Sequence, residues 1–150
     1  MEIFRASFFG HREIEEHRLI ETELIKIVKE LVDSKEYVEF RIGINGEFDA
    51  IAASAIRRVQ NLYGKYNNCL ILVLPYDKAG IEYIEKSFDE VERPALSNVH
   101  PKAAIGNRNK WMIEQSDLVV IYCNRKQGGA YNAYNWARKL NKEVLQIKHE

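Results

Sequence analysis

Three short segments of the sequence combine glycine with side chains that can bind phosphate or ribose. Each follows an apolar run and precedes a helical pattern: Gly10-His11-Arg12, residues 43–49, and Gly128-Gly129-Ala130. Glycine lets the backbone approach a ligand closely. A helix N-terminus adds unpaired N–H groups and the positive end of the helix dipole. The three segments therefore predict binding of a phosphate or a carboxylate group.

The side chains of these segments have both a ligand-binding and a structural interpretation. Arg108 can neutralise phosphate or pair with a carboxylate such as Glu114, and Asp49 can bind a ribose hydroxyl or cap a helix. His11 and Arg12 can contact the ligand or lie solvated in a turn, and a Gly-Gly pair is often only a turn. The candidate ligand-binding residues are Gly10, His11, Arg12, Gly43, Gly46, Asp49, Arg108, Asn109, Gly128 and Gly129.

Glu47 and Asp49 are the acidic residues best placed for catalysis. Cleavage of an N-glycosidic bond passes through an oxocarbenium-like transition state, which needs a carboxylate beside the anomeric carbon. These two residues are therefore the catalytic candidates if the protein is an enzyme. Glu47 therefore has two opposite interpretations: it can act as a base or nucleophile, or it can repel the phosphate of a ligand.

Alternating strands and helices position these segments. Apolar runs predict strands at residues 3–9, 37–44, 69–74, 88–91, 118–123 and 143–147. Apolar residues spaced by three or four predict helices at 16–33, 50–63, 105–115 and 130–140, with a short helix at 79–86 and a loop at 94–101. The alternation predicts one α/β domain over residues 1–150, with a Rossmann-like three-layer fold and a mostly parallel sheet flanked by helices. Ligands bind such a sheet beyond the carboxyl ends of its strands, where the strand order reverses.

The charge balance disfavours nucleic acid as a partner. Lys plus Arg number 22, Asp plus Glu also number 22, and the formal net charge is zero. A duplex-binding domain usually has a clear basic excess, because neutralising phosphates supplies most of its affinity. A local basic face remains compatible with this composition.

The remaining composition predicts a cytoplasmic protein without a metal, a cofactor or a membrane partner. Cys69 and Cys123 lie in apolar runs and have no metal-binding spacing, which favours free thiols in a reduced compartment. The N-terminal residues do not form a secretory signal. No apolar stretch approaches the roughly 20 residues that cross a bilayer.

The ordered motifs resemble the SLOG superfamily, and within it the YpsA-like branch, whose relatives include DprA-type and lonely-guy (LOG) proteins. The resemblance covers residues 8–147 and is carried by the three glycine segments, by Arg108-Asn109 followed by Met112, and by Ser116-Asp117 before an apolar strand. It implies a Rossmannoid fold that recognises nucleotides or nucleotide-derived molecules such as ADP-ribose. It also implies a relation to enzymes that cut the N-glycosidic bond of nucleoside monophosphates.

The third segment departs from the lonely-guy enzymes. Their motif is Pro-Gly-Gly-x-Gly-Thr-x-x-Glu, in which the Glu supports hydrolysis. Here the chain continues from Gly128-Gly129 through Ala130 to Asn135 and lacks the Pro, the third Gly, the Thr and the Glu. The catalytic role of that loop therefore does not carry over.

We therefore predict a sensor or sequestering module that binds a small nucleotide-type ligand. The alternative is an enzyme of the N-glycosidic bond, either a nucleotide phosphoribohydrolase or a deoxyribosyltransferase-like protein. Single-stranded DNA binding, by analogy with the DprA-type relatives, ranks third. Aromatic residues on the last long helix (Tyr131, Tyr134 and Trp136) predict a homodimer contact, although core packing explains them nearly as well.

Overall fold

The computed structural model describes residues 1–76, 80–94 and 100–148, without the side chains of residues 101 and 102. Its strands are β1 (Ile3–Gly10), β2 (Tyr37–Ile42), β3 (Asn68–Val73), β4 (Glu90–Glu92), β5 (Leu118–Tyr122) and β6 (Glu143–Gln146). Its helices are α1 (His17–Ser34), α2 (Glu47–Tyr63), α3 (Glu82–Glu85), α4 (Pro101–Gln115) and α5 (Gly129–Lys139). Strands and helices alternate, as the sequence pattern predicts.

The strands form one six-stranded sheet in the order β4-β3-β2-β1-β5-β6, and all of its neighbouring pairs are parallel. From β1 the chain runs outward through β2 to β4 and then returns to place β5 on the other side of β1. The strand order therefore reverses between β1 and β5, whose carboxyl ends meet where Gly10 pairs with Tyr122. This reversal is the place where a ligand is expected.

Helices cover both faces of the sheet, which confirms the predicted Rossmann-like α/β fold. Successive residues of a strand point to opposite faces, so Phe8 and Phe9 of β1 enter different cores. Phe8 packs in a cluster with residues of α1 and α2, and Phe9 packs with residues of α4 and α5. None of the helices in the described ranges is long and apolar enough to cross a membrane.

Element ends differ from the prediction where tertiary contacts determine them. Helix α2 begins at Glu47 rather than at Ala50, because the N–H of Glu47 donates to the carbonyl of Arg12 at 2.8 Å and extends the first turn. The short helix predicted at 79–86 is a single turn, α3. Most of the loop predicted at 94–101 lies outside the described residues.

Both cysteines are free thiols, as predicted. Cys69 is buried in β3, whereas Cys123 follows β5 and is half-buried. The Cys123 thiol donates to the carbonyl of Arg125 at 3.2 Å.

Candidate functional site

A cleft of about 680 Å³ opens at the carboxyl ends of β1 and β5, where the strand order reverses. We call it the first cleft. Of the candidate ligand-binding residues, all except Gly46 line it: Gly10, His11, Arg12, Gly43, Asp49, Arg108, Asn109, Gly128 and Gly129. The lining also includes Glu13, a weaker catalytic candidate than Glu47 and Asp49, and Arg125, which is not among the predicted site residues.

His11 joins the loops that follow β1 and β5. Its side chain is buried, and its Nε2 accepts the backbone N–H of Asn124 at 3.0 Å. The ring packs edge-on against Tyr122, with centroids 6.0 Å apart. Burial, and after it the charge of Arg125, lower the pKa of His11 below its ordinary value of 6.5. His11 is therefore a neutral connector at the floor of the cleft.

The second glycine segment holds the first loop in place. The N–H groups of Glu47 and Phe48 donate to the carbonyls of Arg12 and His11, at 2.8 and 3.4 Å. Position 46 requires glycine because the Cβ of any other residue would lie 2.5 Å from the Cα of Arg12. Two N–H groups in the first turn of α2 are therefore occupied by protein carbonyls and are not free to bind a phosphate.

Two other glycines make room for protein side chains. A Cβ on Gly10 would collide with the ring of Phe48, and a Cβ on Gly43 would lie 2.8 Å from Nη1 of Arg108. Close approach is the reason for glycine at both positions, whereas the sequence analysis expected a ligand to approach them. The approaching groups, however, belong to the protein.

Arg108 is a buried cation whose donors are directed to three parts of the fold. Its Nη1 donates to the carbonyl of Val73 at 2.8 Å, its Nη2 to Asn45 Oδ1 at 2.7 Å, and its Nε to Asn109 Oδ1 at 2.9 Å. Burial lowers the pKa of Arg108, while the negative charge of Asp49 opposes that shift. Arg108 thus ties α4 to the end of β3 and to the second loop, and adds positive charge beneath the cleft.

Asp49 lies within the first turn of α2 and reaches back along the chain. The prediction that Asp49 is the N-cap residue is wrong, because α2 begins earlier and its N-cap residue is Gly46. The Asp49 carboxylate instead accepts the backbone N–H of Asn45 at 2.9 Å. Burial raises the pKa of Asp49, and this bond, Arg108 and Arg12 counteract the rise.

Glu47 does not line the first cleft. Its Oε2 lies 3.1 Å from Nε2 of His17 and accepts the N–H of Ile14 at 3.4 Å. This carboxylate therefore fixes the start of α1. The two acidic residues selected for catalysis do not converge on one point.

The third glycine segment presents open backbone donors to the cleft. Gly128 has a φ of 91°, which glycine adopts without strain, and it turns the chain into α5. In the described part of the chain, the N–H groups of Gly129, Ala130 and Tyr131 have no protein acceptor. The exposed side chains of Arg12 and Arg125 line the same cleft. Free donors and cations together suit an anion.

A second cleft of about 650 Å³ continues from the first between α4 and α5. The two clefts share Arg12, Ile105, Asn109 and Gly129. The second cleft adds Lys110, Lys139 and Trp136, and its lining in the described ranges contains no carboxylate. The sequence analysis missed these lysines, although Lys139 follows Trp136 by three residues and so shares its helix face.

A potential metal-ligating group lies at the opposite end of the sheet. Ligand atoms of Glu39, Cys69 and Glu90 lie within 4.8 Å of one another. Spacing along the chain could not reveal this group, because its members come from three strands. Glu39 already pairs with Arg5 and Arg41. Burial raises the pKa of Cys69 to about 11, which keeps the thiol protonated and a poor ligand.

Comparison with known proteins identifies structural neighbours but no sequence family. No family model matches the sequence, and no curated protein does. The chain is similar to the DNA processing protein A (DprA) of Helicobacter pylori, with a TM-score of 0.68 and 16% identity over 98% of this chain and 66% of that one. It is also similar to DprA of Streptococcus pneumoniae, with a TM-score of 0.71 and 14% identity over 99% of this chain and 51% of that one.

The chain therefore has a Rossmann-like fold related to that of DprA and spans about half to two thirds of these DprA chains. The expected relation to DprA-type proteins is confirmed at the level of the fold. The assignment to the YpsA-like branch stays a prediction.

These neighbours contradict the ranking of functions drawn from the sequence. The Helicobacter pylori structure is described as showing a unique single-stranded DNA binding mode, which matches the function ranked third. The first rank of the small-molecule sensor is therefore wrong, and so is the prediction that nucleic acid is an unlikely partner. The net charge gave a misleading prediction about nucleic acid because it sums the charges of the whole chain. Locally, Arg12, Lys110 and Lys139 all line the second cleft.

Proposed function

We propose that this chain binds single-stranded DNA in the first cleft. The proposal rests on one observation above all: 98% of the chain matches the fold of a DprA protein described as a single-stranded DNA binder. The first cleft supports it, because exposed cations and free backbone donors lie where the strand order reverses.

A phosphate of the strand binds at the N-terminus of α5. There Gly129 and Ala130 line the cleft with N–H groups that have no protein acceptor in the described part of the chain, and charge comes from Arg125 of the same loop and from Arg12 of the loop after β1. Arg125 is held near the cleft because its Nη2 donates to the carbonyl of Glu13 at 3.2 Å. Backbone donors and arginine side chains recognise a phosphate without reading the base, so we expect little sequence preference.

A single strand fits these features better than a duplex does. A duplex carries a dense array of phosphates, and a protein binds it through a broad basic face. This chain has no net charge and so no overall basic excess, but cations line both of its clefts. A flexible single strand can enter such a cleft and present its phosphates one at a time.

Fluorescence anisotropy with a labelled oligodeoxythymidylate tests the proposal, with a duplex of equal length as the comparison. We expect tighter binding to the single strand, and an affinity that falls with salt by a slope of about −0.7 for each phosphate neutralised. The double variant Arg12→Ala, Arg125→Ala should bind more weakly and show a shallower salt slope. Arg18→Ala, Arg58→Ala is the matched control, because both arginines are exposed and lie outside both clefts.

Two results would overturn the proposal. One is an unchanged anisotropy at low salt with protein up to about 10⁻⁴ M, the weak end of non-specific DNA binding. The other is an equal loss of affinity in both double variants, because the first cleft would then contribute nothing particular.

A further inference from the structure

Trp136 lies in the wall of the second cleft with two lysine ammonium groups over its ring. Lys110 Nζ is 4.6 Å from the ring centroid and Lys139 Nζ is 5.2 Å from it. Lys110 comes from α4, whereas Trp136 and Lys139 come from α5. Two helices therefore place their cations close to one aromatic ring.

Core packing alone does not account for tryptophan at this position. The residue is only half-buried, with part of its ring against the cluster that contains Phe9 and Val119. Its Nε1 is buried and has no hydrogen-bond partner in the described part of the chain. A buried indole N–H usually has a partner. Phenylalanine would supply the packing without that unpaired donor, so the larger indole face needs another explanation.

The chemistry around Trp136 suits a flat, anionic polymer. Cations in the second cleft meet no carboxylate in its described lining, although the whole chain is neutral. The lining also contains the amide side chains Asn107, Asn109, Asn132 and Asn135. Amides bond base edges, cations bind phosphates, and an indole stacks on bases. An acidic peptide could pair with the cations and the amides, but its carboxylates offer no flat face to stack on the ring.

We propose that Trp136 is a base-stacking platform, and that a single strand continues from the first cleft into the second. This inference rests on the proposed single-stranded DNA binding. Arg12 lies at the junction, because it lines both clefts. When the strand binds, a base takes the place of an ammonium group on the ring, and the displaced lysine pairs with the neighbouring phosphate. The exchange is favourable because base stacking on an aromatic ring exceeds an exposed cation–π contact.

The two tryptophans of the chain allow a direct test by fluorescence. Trp111→Phe leaves Trp136 as the reporter, and Trp136→Phe leaves Trp111, which packs against the same core cluster but lines neither cleft. We expect an oligodeoxythymidylate of about 12 nucleotides to quench emission in Trp111→Phe and not in Trp136→Phe. Polyglutamate, an anion without bases, should quench neither.

Affinity provides the second readout. Trp136→Ala should weaken binding of the long oligonucleotide on the order of tenfold, the loss expected for one stacked base. It should weaken binding of an oligonucleotide of about four nucleotides much less, because we expect so short a strand to bind mainly through its phosphates in the first cleft. Trp136→Phe should retain much of the affinity, and thermal melting checks that both variants fold.

The outcomes separate this inference from the proposed function. Binding by anisotropy without quenching in Trp111→Phe, or with equal quenching by polyglutamate, overturns stacking on Trp136 and leaves single-stranded DNA binding in place. Absence of binding to an oligonucleotide of either length overturns the proposed function, and the inference with it.

Discussion

The backbone N–H of Asn124 donates to Nε2 of His11 across 3.0 Å, and this bond joins the loops that follow β1 and β5. Both loops line the first cleft, so the bond sets the distance between two of its walls. A ring nitrogen accepts a hydrogen bond only when it carries no proton. The geometry of the cleft therefore depends on the neutral form of one buried histidine.

We expect the protein to lose stability as the pH falls below about 6.5, and His11→Gln to lose less. Burial and Arg125 lower the pKa of His11 in the folded state. Below about 6.5 the unfolded chain binds a proton that the folded chain does not, so the free energy of unfolding falls until the lower folded pKa is reached. Above about 6.5 this contribution is constant, because His11 is neutral in both states.

Urea denaturation at about pH 7.5 and about pH 5.5 measures this difference. Glutamine keeps an acceptor oxygen and does not titrate, so His11→Gln should show a smaller change than the parent protein. His17→Gln is the control, because His17 is exposed and lies outside the first cleft. An identical pH dependence in the parent and in His11→Gln would contradict the prediction.

Gly46→Ala should destabilise the protein by about 1–3 kcal/mol, the usual cost of overpacking. The φ of Gly46 is 170°, an extended conformation open to any residue, so the cost comes from the clash of the new Cβ with the Cα of Arg12. Moving Arg12 should also weaken DNA binding. Thermal melting and anisotropy measure the two effects.

Gly106→Ala is the control for that substitution. Gly106 lies inside α4, and a Cβ there would meet no atom within 4 Å. Alanine should stabilise a helix interior by up to about 1 kcal/mol. If Gly46→Ala melts at the same temperature as the parent protein, the close approach to Arg12 does not constrain the fold.

Alanine substitutions at the adjacent residues Gly128 and Gly129 distinguish the cost of backbone strain from the cost of steric crowding. Neither position has an atom within 4 Å of an added Cβ, but only Gly128 has a positive φ, at 91°. With a ψ of −178° as well, Gly128 has a backbone conformation that is essentially restricted to glycine, so Gly128→Ala should cost about 1–3 kcal/mol. It should also misplace the open N–H groups of α5 and weaken binding of the short oligonucleotide. Gly129→Ala should change stability by less than about 1 kcal/mol. Equal melting temperatures for the two variants would rule out a strained turn at Gly128.

The sequence was sufficient for the fold because the signals for strands and helices are local. The apolar run that contains β3 and the three-to-four spacing in α1 are visible without any tertiary contact. The glycine segments were recognisable for the same reason. Once the sheet is parallel and ordered around β1, the first and third segments must meet where the strand order reverses.

The roles within the cleft could not be read from the sequence because they depend on distant partners. Arg108 bonds the carbonyl of Val73, 35 residues away, and Asn45, 63 residues away. Gly46 is required by the backbone of Arg12 and not by a ligand. Net charge also concealed the site, because it carries no information on where the cations lie.

Glu13→Gln should increase the affinity for single-stranded DNA. Glu13 is an exposed carboxylate in the lining of the first cleft, beside the cations assigned to the phosphates. Asp49 also lines the cleft, but its carboxylate is engaged by the backbone of Asn45. Removing the exposed negative charge should tighten binding by about two- to fivefold at low ionic strength, and by little at about 1 M salt, where screening acts over about 3 Å.

Glu15→Gln is the matched control for this charge. Glu15 is exposed and only two residues away, but it lines neither cleft. Both variants change the net charge equally, so a general electrostatic effect would raise both affinities alike. A gain confined to Glu13→Gln, and lost at high salt, would place a phosphate beside this residue. Equal gains in the two variants would mean that the strand does not pass the first loop.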